Sequence, residues 1–258
     1  MSRPGVVFGL NDSGHRPELF AFDSTGRHLA MWRVAPASNV DWEAAAVGPC
    51  AVPPASCLYL GDVGDNDGRR DQVTIYRVTE PVPTPGAQSA QLRPERIRAV
   101  YPGHPHDVEA MYVGPDGSVF LLTKRRLLDA ARRPRPTLIF RVPASAWDSG
   151  APKQARAELV DSLPIYPGSA PGRQVTDAAL SRDGRRLAVR TYREIYVFAM
   201  NPATARPSHD VPPALCMIGG LRERQGEGIG WWWDGRRLLL TSEGPREDLI
   251  VVECPLPD

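Results

Sequence analysis

The chain has 258 residues, of which 42% are hydrophobic and 24% charged, a composition ordinary for a soluble globular protein. Its formal net charge of +1 excludes a global electrostatic field that would attract nucleic acid or an anionic membrane surface. No stretch approaches the roughly 18 apolar residues of a membrane span. The sequence therefore predicts neither nucleic-acid nor membrane partners, and its length suits a single all-β domain over 1–258.

The first predicted strands lie at 6–12 (VVFGLND), 18–22 (ELFAF) and 28–34 (HLAMWRV). No hydrophobic signal region precedes them, so the chain as written predicts neither secretion nor membrane insertion. The next strand, 41–47 (DWEAAAV), opens on two carboxylates that are two residues apart. The same opening recurs at 106–113 (HDVEAMYV). This recurrence indicates an internal repeat.

Each repeat has the same order of strands and turns. The first strand opens on an acidic residue, at 41–47, 106–113, 175–181 and 226–233. Asp-Gly turns, strong short hairpin signals, follow three of these strands. The second strand ends in polar residues, at 6–12, 57–62, 119–124, 187–192 and 238–243. Third strands lie at 18–22, 73–78, 138–142, 194–198 and 248–252, and fourth strands at 28–34, 97–101, 156–160 and 214–218.

Four meandering strands per repeat are typical of the blade of a β-propeller. The sequence predicts five blades, with the innermost strand missing from the first blade and the fourth strand missing from the last. A truncated N-terminus would explain the first gap. It would allow six blades, and a lost signal peptide would place the protein outside the cytoplasm. Blades that stay open would favour a dimer over a monomer, because unpaired strand edges recruit other strands.

Two local features complete the predicted structure. A short helix is predicted over 123–133 (TKRRLLDAARR). Cys50 and Cys57 bracket a turn between two strands, and Cys216 with Cys254 completes an even count. Two disulfides and four reduced thiols are both consistent with the sequence.

The repeat gathers polar residues at one mouth of the central channel, where first strands begin and second strands end. Acidic residues begin the first strands at Glu43, Glu109, Asp177 and Glu227. The second strands end at Asp12, Asp62, Lys124, Tyr192 and Glu243. The residues Asp41, Asp65, Asn66 and Asp107 are expected nearby. The opposite mouth carries Arg185, Arg186, Arg236 and Arg237 beside the Asp-Gly turns.

A buried carboxylate costs several kcal/mol unless it is paired or coordinated. Repetition of that cost in successive blades predicts a cation at the channel mouth, and hard oxygen ligands suit Ca²⁺ or Mg²⁺. The alternative is that each acid accepts backbone N–H groups or pairs with an arginine between blades. The sequence leaves both interpretations open.

The segments NDSG, DWEA, GDVGDN, HDVEA, TKR and SEG resemble an uncharacterised family of bacterial β-propeller proteins that are usually exported. The resemblance extends from about Gly5 to Pro255. At greater distance the layout is similar to that of calcium-dependent phosphotriesterase, lactonase and gluconolactonase propellers, which usually have six blades. That similarity implies a Ca²⁺ site with counterparts at Asn11, Glu43, Asp62 and Glu109. The full set of candidate metal ligands is Asn11, Asp12, Glu43, Asp62, Glu109, Asp177, Glu227 and Glu243.

Catalytic candidates lie just before the second acidic strand. His106 or Asp107 would act as a general base beside a metal-bound water, in hydrolysis of an ester, lactone or phosphoester. The alternative is a non-catalytic scaffold that binds a small-molecule or protein ligand at the channel mouth, with structural carboxylates. A third class, glycan hydrolysis, needs only two carboxylates about 5–5.5 or 6.5–9.5 Å apart, and the sequence leaves it open.

Overall fold

The computed structural model describes residues 3–51, 55–84, 90–124, 135–148, 150, 154–166 and 172–257. Its strands form five small sheets arranged as a five-bladed β-propeller, which confirms the predicted fold. Most of the predicted helix over 123–133 lies outside the described residues. Within the described ranges, no helix is both long enough and apolar enough to cross a membrane.

The strands of each blade follow the predicted order. Blade one contains β1 (Val6–Leu10), β2 (Glu18–Asp23) and β3 (His28–Val34). Blade two contains β4 (Trp42–Pro49), β5 (Ser56–Asp62), β6 (Val73–Thr79) and β8 (Glu95–Val100). Blade three contains β9 (Val108–Val113), β10 (Val119–Thr123), β11 (Thr137–Val142) and β13 (Glu158–Leu163). Blade four contains β14 (Val175–Leu180), β15 (Arg186–Thr191), β16 (Glu194–Asn201) and β18 (Ala214–Met217). Blade five contains β19 (Gly226–Trp231), β20 (Arg237–Ser242) and β21 (Ile250–Glu253).

Short additional elements were not predicted. β7 (Ala90–Leu92) pairs in parallel with β3, and β12 (Gln154–Arg156) pairs in parallel with β8. The chain thus leaves blade two to add a strand to blade one, and later leaves blade three to add a strand to blade two. A two-residue strand, β17 (Arg206–Pro207), extends the edge of β16, and one 3-10 helix spans Ala144–Trp147.

Hairpin turns joining first and second strands set the register of the blades. Gly117, Gly184 and Gly235 have positive φ angles of 86°, 70° and 66°, which glycine adopts without the steric cost of a Cβ. The Asp116 side chain accepts a hydrogen bond from the Ser118 N–H, at 3.0 Å. The predicted Asp-Gly turns are therefore confirmed, and they fix which strand faces enter the core.

Apolar side chains from adjacent blades form the core. β9 and β10 are buried along their whole lengths. Blade one is more open: β1 pairs only with β2 among the described residues, and all five of its residues are half-buried. The predicted lack of an inner strand in blade one and of a fourth strand in blade five is confirmed for the described part of the chain.

All four cysteines are paired in disulfides. Cys50 bonds to Cys57 within blade two, and Cys216 in β18 bonds to Cys254 just after β21. The first bond staples the hairpin between β4 and β5. The second attaches the three-stranded blade five to the outer strand of blade four.

Candidate functional site

The inner strands β4, β9, β14 and β19 begin at the end of the propeller axis where β5, β10, β15 and β20 finish. We call this end the acidic mouth. The sequence prediction that strand starts and strand ends share one face follows from the antiparallel pairing of each inner strand with its neighbour. The acidic residues named above therefore lie around one opening.

Three carboxyl groups form the tightest cluster at the acidic mouth. One carboxylate oxygen from each of Asp12, Asp41 and Glu43 lies within 4.8 Å of the other two. Asp12 is exposed, whereas Asp41 and Glu43 are half-buried. Asp41 directly precedes β4, and Glu43 lies where the pairing of β4 with β5 shifts register, between Trp42 and Ala44.

Burial and mutual repulsion dominate the electrostatics of this cluster. Burial, followed by the charges of Glu109, Asp41 and Asp12, raises the pKa of Glu43 to about 10. Burial also raises the pKa of Asp41, although a hydrogen bond with Glu43 opposes the rise. Two adjacent carboxyls that hold a proton in this way are groups that a bound cation would convert to the charged form.

The Asn39 side chain and two backbone N–H groups hold the segments that carry the cluster in place. Asn39 Nδ2 donates to the carbonyl oxygen of Asp12 at 2.9 Å, and Asn39 Oδ1 accepts the Trp42 N–H at 3.0 Å. This one side chain thus ties the end of β1 to the start of β4. The N–H groups of Val63 and Gly64 both donate to the carbonyl oxygen of Asp41, at 3.1 and 3.2 Å.

Gly64 packs directly beneath the two acids. A Cβ at this position would overlap Asp41 Oδ2 and would stand 2.7 Å from Glu43 Cγ. Only glycine therefore leaves room for both carboxyl groups in their present positions.

Two of the predicted metal ligands have other partners. Asp62 is 1% exposed, accepts the Asp41 N–H at 3.0 Å and pairs with Arg70 Nη2 at 2.9 Å. The Asp62 carboxylate therefore already has partners, and it links the end of β5 to Asp41 and to Arg70. Asn11 lies beside Asp12, and its carbonyl oxygen accepts Asn39 Nδ2 at 3.2 Å.

Glu109 forms an ion pair. Its side chain is 3% exposed, and Lys124 Nζ lies 2.9 Å from Oε1. Burial raises the pKa of Glu109 to about 7, although the Lys124 charge opposes the rise. Glu109 thus already has a cationic partner within the protein.

The remaining acids of the ring lie in blades four and five. Asp177 accepts the N–H groups of Ile229 and Ala178 at 2.9 and 2.7 Å, while burial raises its pKa to about 8. Glu227 accepts from Tyr192 Oη at 3.1 Å and from Gln225 Nε2 at 2.7 Å. The pKa of Glu243 is raised by burial and then by the charges of Glu227 and Asp12.

The two catalytic candidates line a cleft of about 200 Å³ between blades two and three, next to the acidic mouth, and Lys124 lines it too. His106 is 7% exposed, and its ring packs 4.7 Å from Phe140 and 5.3 Å from Tyr101, between centroids. Asp107 Oδ1 accepts the Asp65 N–H at 2.8 Å. The charge of Asp107 still raises the pKa of Asp41 and Glu109. Asp107 thus contributes to the field of the acidic mouth.

Sequence reasoning missed the buried arginine that binds blade five to blade four. Arg190, in β15, is fully buried and contacts Glu223, Gly228 and Thr241. No local pattern identifies the pair, because the strands β16, β17 and β18 and their loops separate Arg190 from Glu223. Asp41 was only expected nearby, yet it belongs to the tightest cluster. Its two-residue spacing from Glu43 was the available signal.

The raised carboxyl pKa values predict how stability depends on pH. The pKa values of Glu109, Asp177 and Glu43 rise to about 7, 8 and 10 in the folded protein. A carboxyl group with a raised folded pKa stabilises fully below its unfolded pKa, about 4, and loses that contribution as the pH rises through the folded pKa. In EDTA we therefore expect a higher Tm near pH 5.5 than near pH 8.5, measured by circular dichroism.

Two other carboxyl groups have lowered rather than raised pKa values. Asp234 has its pKa lowered to about 2, mainly by hydrogen bonds from the N–H groups of Arg237 and Arg236. Hydrogen bonds from Thr25 lower the pKa of Asp23. Their contributions are lost only as the pH falls below about 4. A Tm that stays level or rises between about pH 5.5 and 8.5 would contradict the prediction.

No protein-family model matches the chain, and no curated protein matches it. The bacterial family and the phosphotriesterase-like relationship stay predictions.

Solved structures with a similar fold include the Dos1 propeller, at 7% identity and a TM-score of 0.39, covering 88% of this chain and 48% of that one. A luciferin-regenerating enzyme has 11% identity and a TM-score of 0.39, with 97% and 73% covered. YCF48 bound to D1 peptide has 10% identity and a TM-score of 0.40, with 95% and 62% covered. The chain thus spans about half of the first of these structures, and the likeness concerns the propeller fold alone.

Proposed function

We propose that this propeller binds a divalent cation, Ca²⁺ in the first place, through Asp12, Asp41 and Glu43 at the acidic mouth. The observation that carries the proposal is the convergence of three carboxylate oxygens within 4.8 Å. Within the described ranges, none of these three carboxylates forms an ion pair, in contrast to Asp62 and Glu109. The cluster is thus the place in the acidic mouth where three carboxyl groups converge without a cationic side chain paired to them among the described residues.

The donor set suits a hard cation. Ca²⁺ takes 6–8 oxygen ligands, which carboxylates, carbonyls and water supply. Three carboxyl groups would leave coordination positions for water or for an oxygen of a ligand. Mg²⁺ takes oxygen ligands too, but it demands a more regular octahedral arrangement. The expected ligand is a small molecule or protein segment that offers a carboxylate, phosphate or carbonyl oxygen.

Hydrolysis of an ester, lactone or phosphoester is a second candidate, favoured by the position of Asp107. Asp107 directly precedes β9, an inner strand that begins at the acidic mouth, so a carboxylate base would stand at the same mouth as the cation. A bound cation would polarise the scissile group. His106 supports this role less well, because its ring packs against Phe140 and Tyr101. A scaffold without catalysis uses the same site for binding alone.

The first test is thermal unfolding in EDTA and in excess CaCl₂, for the unchanged protein and for Glu43→Gln and Asp41→Asn. A cation that binds only the folded state stabilises it by about 2.7 kcal/mol at a hundredfold excess over its dissociation constant. We expect a calcium-dependent rise in Tm that either substitution reduces strongly. MgCl₂ is tested in parallel and should give a smaller rise.

Glu227→Gln is the matched control, because Glu227 belongs to the same acidic mouth and is also half-buried, but lies outside the cluster. It should keep the calcium response. Gly64→Ala should weaken the response without removing a charge, since its Cβ would displace Asp41. A calcium response absent from the unchanged protein would refute the cation site. Ester, lactone and phosphoester assays with and without EDTA then separate hydrolysis from binding.

A further inference from the structure

A cleft lies between blades three and four at the end of the propeller opposite the acidic mouth. It is lined by the β9–β10 turn, by the strands β11 and β13, and by residues 202–206 at the turn between β16 and β17. Since β9 and β16 begin beside the acidic mouth, both turns lie at the far end of these strands. The cleft, which we call the rear cleft, has a volume of about 380 Å³. Clefts of roughly 300–1,000 Å³ accommodate small molecules.

The wall of the rear cleft is mostly apolar. Pro115 and Val160 line it from blade three, and Pro202 and Ala203 line it from blade four. Val160 also packs against the core that blades three and four share. Ligand sites commonly combine such an apolar lining with a few well-placed polar groups. The rear cleft is therefore suited to the apolar body of an organic molecule.

The turn between β16 and β17 is held in a strained conformation. Ala205 has a φ angle of 51°, a left-handed conformation that costs a residue with a Cβ about 1–2 kcal/mol. Its carbonyl oxygen accepts a hydrogen bond from Tyr112 Oη at 2.9 Å, and Asn201 Oδ1 accepts the Ala203 N–H at 3.0 Å. These contacts attach the turn to blade three. The next residue, Arg206, is thereby fixed at the edge of the rear cleft.

Arg206 supplies a polar group of the rear cleft and is half-buried. Its Nη1 donates to the carbonyl oxygen of Val160 at 2.8 Å. Among the described residues its Nε and Nη2 have no acceptor, and it forms no ion pair. These two nitrogens form an edge of the guanidinium group that can bind a carboxylate or phosphate through two parallel hydrogen bonds.

A second guanidinium group, that of Arg141, makes the lining of the rear cleft positive. Arg141 Nε and Nη2 both donate to Ser118 Oγ at 3.2 Å. The carboxylates of Asp116 and Glu158 stand 3.7 and 3.9 Å from Arg141, too far for a hydrogen bond. Asp116, which also lines the cleft, accepts the N–H and the hydroxyl of Ser118 at 3.0 and 2.7 Å. The lining thus carries two guanidinium groups and one carboxylate, which is already bound to the hairpin turn.

We propose that the rear cleft binds a small organic anion with a carboxylate or phosphate group and an apolar body. Arg206 Nε and Nη2 donate to two oxygens of the anionic group, and Arg141 adds a second positive charge. The apolar body packs against Pro115, Val160 and Pro202. This site is independent of the cation at the acidic mouth, because the two lie at opposite ends of the propeller.

The test is a titration of the ¹⁵N-labelled whole protein in EDTA, followed by the NMR signals of the 203–206 amides and of the Arg206 Nε–H. The probes are phenylacetate and phenyl phosphate, added in separate experiments. We expect saturable binding at one site, and the tighter of the two probes identifies the preferred anionic group. Benzyl alcohol, which lacks the charge, and inorganic phosphate, which lacks the apolar body, should each bind at least about tenfold more weakly.

Arg206→Gln and Arg186→Gln form a matched pair of variants. Arg186 is also half-buried and begins β15 at the same end of the propeller, but it does not line the rear cleft. Arg206→Gln should weaken binding about tenfold or more, whereas Arg186→Gln should leave it unchanged. Arg206→Lys should have an intermediate effect, because it keeps the charge and loses the paired donors.

Ala203→Trp tests the cleft without removing a charge. Ala203 is exposed and lines the rear cleft, so an indole ring there should abolish binding and leave the Tm unchanged. This variant decides the matter if Arg206→Gln fails to fold. The proposal is overturned if neither anion binds, if benzyl alcohol binds as tightly as the anions, or if Ala203→Trp and a folded Arg206→Gln keep the full affinity.

Discussion

Replacing Arg190 by leucine is expected to lower the free energy of unfolding by about 3–5 kcal/mol, the usual cost of removing one partner from a buried ion pair. The Arg190 side chain is fully buried. Its Nη2 donates to both carboxylate oxygens of Glu223, at 2.7 and 2.6 Å. Its Nη1 donates to the carbonyl oxygens of Gly228 and Thr241, at 2.8 and 3.0 Å. The substitution would leave the Glu223 charge and two carbonyl groups without this donor.

The stability is lost because the contact between blades four and five is weakened. Arg190 belongs to blade four, whereas Gly228 and Thr241 belong to blade five. Arg237→Leu is the matched control, because the Arg237–Asp234 pair is 45% and 28% exposed. Exposed pairs contribute about 0–1 kcal/mol. Urea denaturation of both variants measures the difference, and equal losses would refute the special role of Arg190.

The second large effect is expected from the disulfide between Cys216 and Cys254. It closes a loop with a sequence separation of 38 residues. By the chain-entropy relation such a closure stabilises the folded protein by ~4 kcal/mol. The Cys216→Ala, Cys254→Ala variant should lose about that amount in urea denaturation, because its unfolded chain is no longer restricted by the closed loop.

The other disulfide provides the control for this prediction. Cys50 and Cys57 are only 7 residues apart, so the same relation gives a smaller contribution of ~2.4 kcal/mol. The Cys50→Ala, Cys57→Ala variant should therefore be the more stable of the two. The opposite order would mean that the longer loop is already constrained in the unfolded chain.

The fold was predictable because its signals are local. Alternating apolar residues identify strands, and Asp-Gly turns such as Asp116-Gly117 mark hairpins. The antiparallel order then places strand starts and strand ends at one face. β7 and β12 were missed because each spans three residues, too few to show a period. Both are held by pairing with a neighbouring blade.

The candidate site was predictable in position but not in partners. Asp41–Glu43 and Asp107–Glu109 have the same spacing, yet Lys124 neutralises Glu109 and leaves Glu43 facing other carboxyls. Such pairing depends on which side chains can reach each other across the acidic mouth. The residues next to each acid in the sequence do not reveal this. The redox state of the cysteines was open for a similar reason: spacing alone does not fix distance.

The parallel strands β7 and β12 limit how this propeller can change in size. In a propeller whose blades are each one continuous stretch of chain, a blade can be duplicated or deleted by recombination. Here blade two cannot be removed without taking β7 from blade one, and blade three cannot be removed without taking β12 from blade two. Loss or duplication of blade two or blade three would therefore also disturb the neighbouring blade, whereas no strand exchange of this kind links blades four and five among the described residues.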